Sequence, residues 1–304
     1  MATEPTILEI DPTWRRGIED MGSKPKFWFR YQDEMWLFKQ ARENTGEHWA
    51  EKVASEIAEL MGLPTHQTMI AYYEGRVGCA VRSFLKPGQD LVHGNELLAG
   101  SIEGYDKSKH RGQSDHHFEN IVKALEHKFT VPDVRKKVSL RFVGYLMLDA
   151  LVGNTDRHHE NWGVVQKLTV KDDRANRQLN LTIRIGLAPT FDHASSLGRE
   201  LLDEARQCLL NDRDAMRRYI KKGTGGIFRD ASEKKGMAPI ALVEMVGQNY
   251  PKLLEPWKKR IEELDENFAL PLLAEIPESC MSTVAKDFVL AFLSESRKMI
   301  SKIL

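Results

Sequence analysis

The feature that most constrains the fold is an apolar helix that runs directly into a polar segment. Residues 135–152 (RKKVSLRFVGYLMLDALV) have the apolar periodicity of a helix. The overlapping stretch LVGNTDRHHENWG (Leu151–Gly163) holds Asp156, two histidines, Glu160 and Asn161 within a few positions. Three interpretations are open at this point: a solvated loop, a metal site built on the histidines, or a catalytic loop built on Asp156 and Asn161.

The N-terminal third has the patterns of a small β-rich unit with one helix. Residues 26–40 predict a hairpin around a polar turn at 31–34, and Lys39 lies near the end of its second strand. Residues 47–62 have apolar residues at helical spacing and end at a glycine. Residues 63–85 read as two further strands joined by a turn.

After residue 85 the patterns are mostly helical. Residues 178–198 are the exception and read as a strand pair followed by a loop, while residues 240–304 read as helical with one break. We therefore expect an α+β, bilobed chain with an N-terminal lobe at 1–85 and a C-terminal helical lobe at 86–304. A cleft between such lobes is where a ligand is expected.

Composition excludes several classes of protein. The chain has 304 residues, 41% hydrophobic and 29% charged, as is typical of a soluble globular protein. Lys+Arg and Asp+Glu both total 44, so nucleic-acid binding driven by overall charge is not expected. No run approaches the length of a membrane span, and no secretory signal is visible. Three distant cysteines without a CxxC pair favour reduced thiols and a cytoplasmic location.

Several residues have the order that phosphoryl transfer requires. Asp156 and Asn161 have the spacing of the kinase catalytic loop, D-x-x-x-x-N, and oxygen ligands of this kind suit magnesium. Asp192, in LAPTFDHASSLG, follows where kinases place a second metal carboxylate, although Phe191 precedes it here rather than follows it. Lys39 ends a strand and is followed by a helix with carboxylates. Each motif alone is weak, and the ordered set indicates a kinase.

These segments together resemble the HipA-like kinase family. LVGNTDRHHENWGVV and LAPTFDHASSLG are similar to its GNxDxHxxN catalytic loop and its LAPxxD metal segment. Further similarities are MGSKPKFWF to its nucleotide-covering loop, WLFKQ to its lysine strand, AEKVASEIAELMGLPT to its helix and AVRSF to its hinge. The resemblance extends over residues 17–198. It implies a bilobed protein-kinase-like fold with a small β-rich N-lobe, one N-lobe helix and a larger, mostly helical C-lobe.

The resemblance also implies roles for individual residues. Asp156 would be the catalytic aspartate, Asn161 and Asp192 would bind Mg²⁺, and Lys39 would hold the ATP phosphates. Glu51, counted back from the Gly-Leu shared at 62–63, would pair with that lysine.

Other residues would position the nucleotide or the loop. Gly22 and Ser23 belong to the covering loop, and adenine would contact backbone near Arg82, Ser83 and Phe84. His158 is expected to be structural. The family often autophosphorylates a serine just before the loop glycine, and this position is Met21 here, which puts self-inhibition by that route in question. With about twenty residues before the glycine, a compact, single-kinase-domain member is expected.

The implied function is ATP- and Mg-dependent phosphorylation of a serine or threonine on a protein substrate. The family suggests a toxin-like or effector kinase, with a DNA-binding antitoxin as partner and no direct contact of its own with nucleic acid or membrane. An alternative to a cytoplasmic role is delivery into another cell. The competing functions are a kinase-fold enzyme that acts on a lipid or small molecule or transfers a nucleotidyl group and, less favoured, a nucleotide-binding pseudokinase.

Two further segments carry weaker hypotheses. A zinc site on His158 and His159 is disfavoured, because adjacent histidines point in different directions and no Cys or HExxH pattern accompanies them. The basic stretch at 213–226 reads equally well as a solvated helix face with a flexible loop or as a substrate-docking segment.

Overall fold

The computed structural model describes residues 7–18, 25–173 and 178–303. Its N-terminal part is a six-stranded sheet with the strand order β1-β5-β6-β4-β3-β2. The strands are β1 (Ile7–Glu9), β2 (Arg15–Ile18), β3 (Lys26–Tyr31), β4 (Glu34–Gln40), β5 (Thr68–Tyr73) and β6 (Arg76–Arg82). A short 3-10 turn (Pro12–Trp14) joins the first two. All pairings are antiparallel except that of β1 with β5.

The predicted hairpin is confirmed in detail. β3 and β4 pair from Lys26 opposite Lys39 to Tyr31 opposite Glu34. The two turn residues, Gln32 and Asp33, both have positive φ (50° and 61°), as a tight turn between twisted strands requires.

One helix, α1 (Glu47–Leu60), packs against this sheet, as predicted. Its apolar residues belong to the same buried cluster as the helices of the C-terminal part. A second, smaller cluster lies among the sheet strands and is mostly aromatic, with Phe27, Phe29, Trp36 and Phe38.

The C-terminal part is mostly helical. Its helices are α2 (Gly94–Ala99), α3 (Phe118–Lys128), α4 (Pro132–Val152), α5 (Asp203–Asn211), α6 (Arg213–Lys222), α7 (Pro239–Asn249), α8 (Pro251–Glu262), α9 (Ala269–Ala274) and α10 (Thr283–Ile300). The described residues therefore have the predicted α+β architecture. No helix within them is long and apolar enough to cross a bilayer.

Helix α4 is the centre of this part. It contacts α1, α3, α7, α8 and α10, and nearly every residue from Phe142 to Val152 is buried. The sequence predicted an amphipathic helix, but the second half is enclosed on all sides because helices cover each face.

A three-stranded antiparallel sheet lies in the C-terminal part, in the order β7-β8-β9. Its strands are β7 (Asp90–His93), β8 (Gly163–Asp173) and β9 (Gln178–Leu187). Residues 178–198 therefore contribute one strand rather than the predicted pair. The partner strand, β8, directly follows the polar segment. The alternation of its side chains was missed because it lies next to this charged loop.

Candidate active site

The main cleft lies between the six-stranded sheet and the loop at 153–163, which we call the catalytic loop after the motif that it resembles. Its volume is about 280 Å³. Six of the predicted site residues line it: Lys39, Arg82, Ser83, Phe84, Asn161 and Asp192. Apolar side chains of Trp28, Leu37, Val81, Leu91 and Phe191 cover much of the remaining wall, as a site for a flat aromatic base requires.

Lys39 is held between two carboxylates. Its ammonium donates to Asp192 Oδ1 at 3.0 Å, and Glu51 Oε2 lies 3.7 Å away. The side chain of Glu51 is fully buried, and His66 Nε2 donates to its other oxygen at 3.0 Å. Residues from β4, α1 and the segment after β9 therefore meet at one point, as the order of motifs predicted.

The charges in this cluster stabilise one another. Burial alone would lower the pKa of the Lys39 ammonium, but the carboxylates of Asp192 and Glu51 outweigh it and the pKa is raised above its usual value. Burial alone would raise the pKa of Glu51, but Lys39 and the hydrogen bond from His66 hold it well below its usual range. The cluster is therefore ionised at neutral pH.

Lys26 was not predicted as a site residue, yet it also lines the cleft. It lies directly opposite Lys39 in the β3–β4 register, so both side chains are on the same face of the sheet. Like charges at opposed positions repel, and an anion bound between them removes that cost. The sequence could have indicated Lys26 as a site residue, because the register of the predicted hairpin places it opposite Lys39.

The catalytic loop starts where α4 ends. Gly153 closes the helix with φ +67°, and a Cβ there would lie 2.5 Å from the Phe292 ring. The loop then exposes Asp156, while Asn161 is buried and its Nδ2 donates to the Asp156 carbonyl at 2.7 Å. This bond uses the amide nitrogen and leaves the amide oxygen as the atom that a cation would take.

A buried ion pair fixes this loop. Arg157 Nε and Nη2 donate to the two oxygens of Asp149 on α4 at 2.8 and 2.7 Å. Arg157 Nη1 also donates to the carbonyl oxygens of Asn161 at 2.6 Å and Phe191 at 3.3 Å. One guanidinium therefore joins the helix, the catalytic loop and the metal segment. The signal for it was Asp149, a carboxylate inside an apolar helix, which requires a buried partner.

Asp192 has an unusual backbone conformation, with φ +59°. This left-handed geometry is tolerated by Asp better than by most residues. The next residue, His193, is fully buried and stacks on His66 with ring centroids 5.9 Å apart. Burial lowers the pKa of His193 to about 3, so its imidazole is neutral. Phe191 lies on the cleft side, 5.7 Å from the Phe84 ring.

The three predicted hinge residues, Arg82, Ser83 and Phe84, line the cleft. The Ser83 N–H donates to the Met35 carbonyl at 2.8 Å, and the Leu85 N–H donates to Ser83 Oγ at 3.3 Å. Adenine would therefore meet the Ser83 carbonyl and the backbone of Phe84 rather than the Ser83 N–H. Gly22 and Ser23 lie outside the described residues.

The histidines of the loop have structural partners. The rings of His158 and His159 are inclined by 75°, and the Glu160 N–H donates to His158 Nδ1 at 3.2 Å. Tyr105 Oη lies 2.7 Å from His159 Nδ1. Within the described ranges, one set of three donors is close enough to hold a metal, namely His110, His159 and Glu160. It does not include His158.

The basic segment at 213–226 divides into two parts. Arg213 and Arg217 on α6 donate to Glu295 of α10 at 2.7 and 2.9 Å, so this helix face is an ion-paired packing surface. The residues after α6 instead line a second cavity, next to Asp156.

No protein-family model matches the sequence. A relative is the serine/threonine-protein kinase CtkA of Helicobacter pylori strain J99, which is 24% identical over 305 residues, 97% of this chain and 85% of CtkA. The crystal structure of a Helicobacter pylori proinflammatory kinase CtkA superposes with a TM-score of 0.76 at 22% identity, and covers 97% of this chain and 94% of that one.

A second structure with this fold comes from the toxin–antitoxin system of Shewanella oneidensis MR-1, in which HipA is bound to HipB and operator DNA. It superposes with a TM-score of 0.58 at 12% identity, and the match covers 96% of this chain and 66% of that one. The two solved structures show that this chain has the fold of these kinases, and the CtkA relative supports the family resemblance that the motifs indicated.

Proposed function

Because the chain has the fold of the HipA-like kinases over nearly its whole length, we propose that it is an ATP- and magnesium-dependent kinase that phosphorylates serine or threonine on a protein. The convergence of Lys39, Glu51 and Asp192 in the cleft carries the proposal. Its chemistry suits a nucleotide triphosphate, because ammonium groups face a cavity that also contains carboxylate and amide oxygens.

The residues would divide the reaction as follows. Lys39, oriented by Glu51, holds the ATP phosphates in line with the acceptor, and Lys26 adds a second positive charge. Asp156 orients the acceptor hydroxyl and receives its proton as the new O–P bond forms. The bond from the γ-phosphorus to the bridging oxygen breaks, and ADP leaves.

The donor set fits magnesium. Asp192 and Asn161 offer a carboxylate and an amide oxygen, the hard ligands that this ion prefers. Bound there, the ion would neutralise charge on the transferring phosphoryl group. The Arg157 guanidinium holds both segments at a fixed separation through the carbonyls of Asn161 and Phe191.

The relative's name supports a serine/threonine acceptor. None of the similar proteins favours a lipid, small-molecule or nucleotidyl-transfer activity. The HipA–HipB–DNA complex supports the further proposal that a DNA-binding antitoxin regulates this chain. Two further proposals rest on the motif resemblance. They are the lobe division at 1–85 and 86–304 and the phosphate-covering role of Gly22 and Ser23.

The function is tested with γ-labelled ATP, magnesium and protein or peptide acceptors. The Asp156→Asn variant should lose phosphoryl transfer by a factor of about 10² or more and should still show an ATP-dependent thermal shift. The matched control is Asp287→Asn, which changes an exposed aspartate on α10 and should retain full activity.

Two results would contradict the proposal. Normal transfer by Asp156→Asn would remove this residue from the reaction. Label found on a lipid or as AMP on the acceptor, with no phosphoserine or phosphothreonine, would replace the protein kinase by another activity on the same fold.

A further inference from the structure

A second cavity opens directly in front of Asp156. Its volume is about 870 Å³, larger than that of the nucleotide cleft. Its walls are residues 110–116 and residues 224–236, and its floor is the catalytic loop. His158 and Glu160 line both cavities. We call the second cavity the acceptor groove, because Asp156 lines it and does not line the nucleotide cleft.

Hydrogen bonds around His116 join the two walls. The Trp162 indole N–H donates to His116 Nε2 at 3.0 Å, so His116 Nδ1 carries the proton and donates to the Gly226 carbonyl at 2.7 Å. The Phe228 N–H donates to the His116 carbonyl at 3.0 Å. Burial lowers the pKa of His116 to about 3, so its ring is neutral at neutral pH. The two hydrogen bonds of the ring then select this single tautomer. The groove therefore has fixed walls.

Glycines bring the second wall against the catalytic loop. A Cβ on Gly226 would lie 2.7 Å from the His158 nitrogen, and one on Gly236 would lie 1.9 Å from the Gly225 carbonyl oxygen. Such close approach of backbones is available to glycine alone. The wall at 224–236 is consequently built on the catalytic loop itself, so its side chains have a defined position relative to Asp156.

The walls of the groove are positively charged. Arg111, Lys234 and Lys235 line it and are exposed. Across the described ranges, no carboxylate forms an ion pair with any of these three side chains. The groove contains two acidic residues. Glu160 has His110 Nδ1 at 3.2 Å from its Oε2, and Asp156 is the proposed hydroxyl-orienting group.

We propose that the acceptor groove binds protein segments with aspartate or glutamate side chains beside the phosphorylated serine or threonine. Arg111, Lys234 and Lys235 supply the complementary charge, and the fixed position of the walls turns that charge into a preference for particular positions in the segment. This inference rests on the proposed kinase activity and specifies its substrate class. Because the pairs are exposed, the preference should weaken as salt rises.

A positional peptide library with a central serine tests the inference, with the full-length protein, labelled ATP and magnesium. We expect peptides with Asp or Glu near the acceptor to exceed matched Lys or Arg peptides in kcat/KM by about tenfold, which corresponds to about 1.4 kcal/mol. The double variant Lys234→Ala/Lys235→Ala removes two of the three positive charges and should clearly lower that ratio, mainly through KM. The control Lys258→Ala/Lys259→Ala changes two α8 lysines and should keep the ratio.

The remaining outcomes separate this inference from the function it rests on. Phosphorylation of peptides without preference for acidic neighbours, or the same preference in Lys234→Ala/Lys235→Ala, would overturn the acidic-substrate inference alone. No phosphorylation of any peptide or protein would overturn the kinase proposal as well. An oligoribonucleotide that occupies the groove more tightly than the acidic peptides would make it a nucleic-acid site and overturn the inference.

Discussion

At the scale of single residues, buried polar groups that the motifs do not specify hold the site together. Arg157 lies between two motif residues, Asp156 and His158, at a position where the motif GNxDxHxxN specifies no residue type. It nevertheless makes hydrogen bonds to three separate segments. Motif positions identified the residues that we propose touch the reactants, whereas the residues that orient them became visible only when the chain was folded.

Removal of one partner of the Arg157–Asp149 pair should be costly. Asp149→Asn leaves a guanidinium buried without its counter-charge, so we expect the free energy of unfolding to fall by about 3–5 kcal/mol. Urea unfolding monitored by tryptophan fluorescence measures this. The control Asp33→Asn breaks an exposed pair with Arg30, in which Asp33 is 94% exposed, and should change stability by less than about 1 kcal/mol. Equal effects of the two substitutions would show that the buried pair has no special role.

At the scale of elements, strands and helices with a clear period of apolar residues could be predicted from the sequence. Elements whose structure depends on neighbouring strands or loops could not. The hairpin at 26–40 and helix α1 follow from alternation and helical spacing, respectively. β8 was missed because its alternation lies next to the charged loop and its pairing with β7 and β9 is not visible in the sequence. The segment at 224–236 has no period, and its role as a groove wall depends on glycines whose close contacts the sequence does not show.

The tight contact of Gly226 predicts a specific defect. In Gly226→Ala, the new Cβ would push against the His158 nitrogen and displace the catalytic loop. We expect kcat to fall by at least about tenfold, since small displacements of catalytic groups cost up to about 10² in rate. Gly186→Ala is the control, because a Cβ there meets nothing within 4 Å. Steady-state kinetics on one peptide compare the two, and equal kcat values would contradict the contact.

At the scale of the whole molecule, the two lobes share one core. The apolar face of α1 is buried in the same cluster as the C-terminal helices, while the sheet keeps a small aromatic cluster of its own. The β-rich and helical parts were visible in the sequence as a change from strand to helix patterns. Their shared core was not, because a periodic helix shows which face is apolar and not what covers it.

The shared core predicts that residues 1–85 do not fold alone. Expressed separately, this fragment would expose the part of the α1 surface that α4 and α9 cover in the intact chain. We expect poor amide dispersion in NMR spectra of the fragment, compared with the intact chain. A fragment with a native-like spectrum would establish the N-lobe as an independent folding unit.

Buried neutral histidines should make the whole molecule sensitive to acid. Burial lowers the pKa of His116 and His193 to about 3 and that of His159 to about 4, against 6.5 when exposed. Below pH 6.5 the unfolded chain therefore binds protons that the folded chain does not, and stability falls. Each histidine removes about 1.4 kcal/mol of stability between pH 7.5 and 5.5, or about 4 kcal/mol for the three.

Urea unfolding at pH 7.5 and 5.5 tests this dependence. Within the described residues neither ring nitrogen of His193 has a hydrogen-bond partner, so His193→Phe preserves the shape and should remove about a third of the pH dependence. The exposed His127→Asn is the control and should leave it unchanged. An unfolding free energy that is the same at both pH values would show that these histidines are protonated in the folded protein.

The catalytic loop separates two cavities, and this arrangement offers a route to selective inhibitors. His158 and Glu160 belong to both walls, so an adenine-like group in the cleft and an acidic peptide in the groove would be separated only by the thickness of one loop. A short tether between two such fragments would raise the effective concentration of the second after the first has bound. Affinity would then come from the cleft that many kinases share, and selectivity from the groove that Arg111, Lys234 and Lys235 give to this chain.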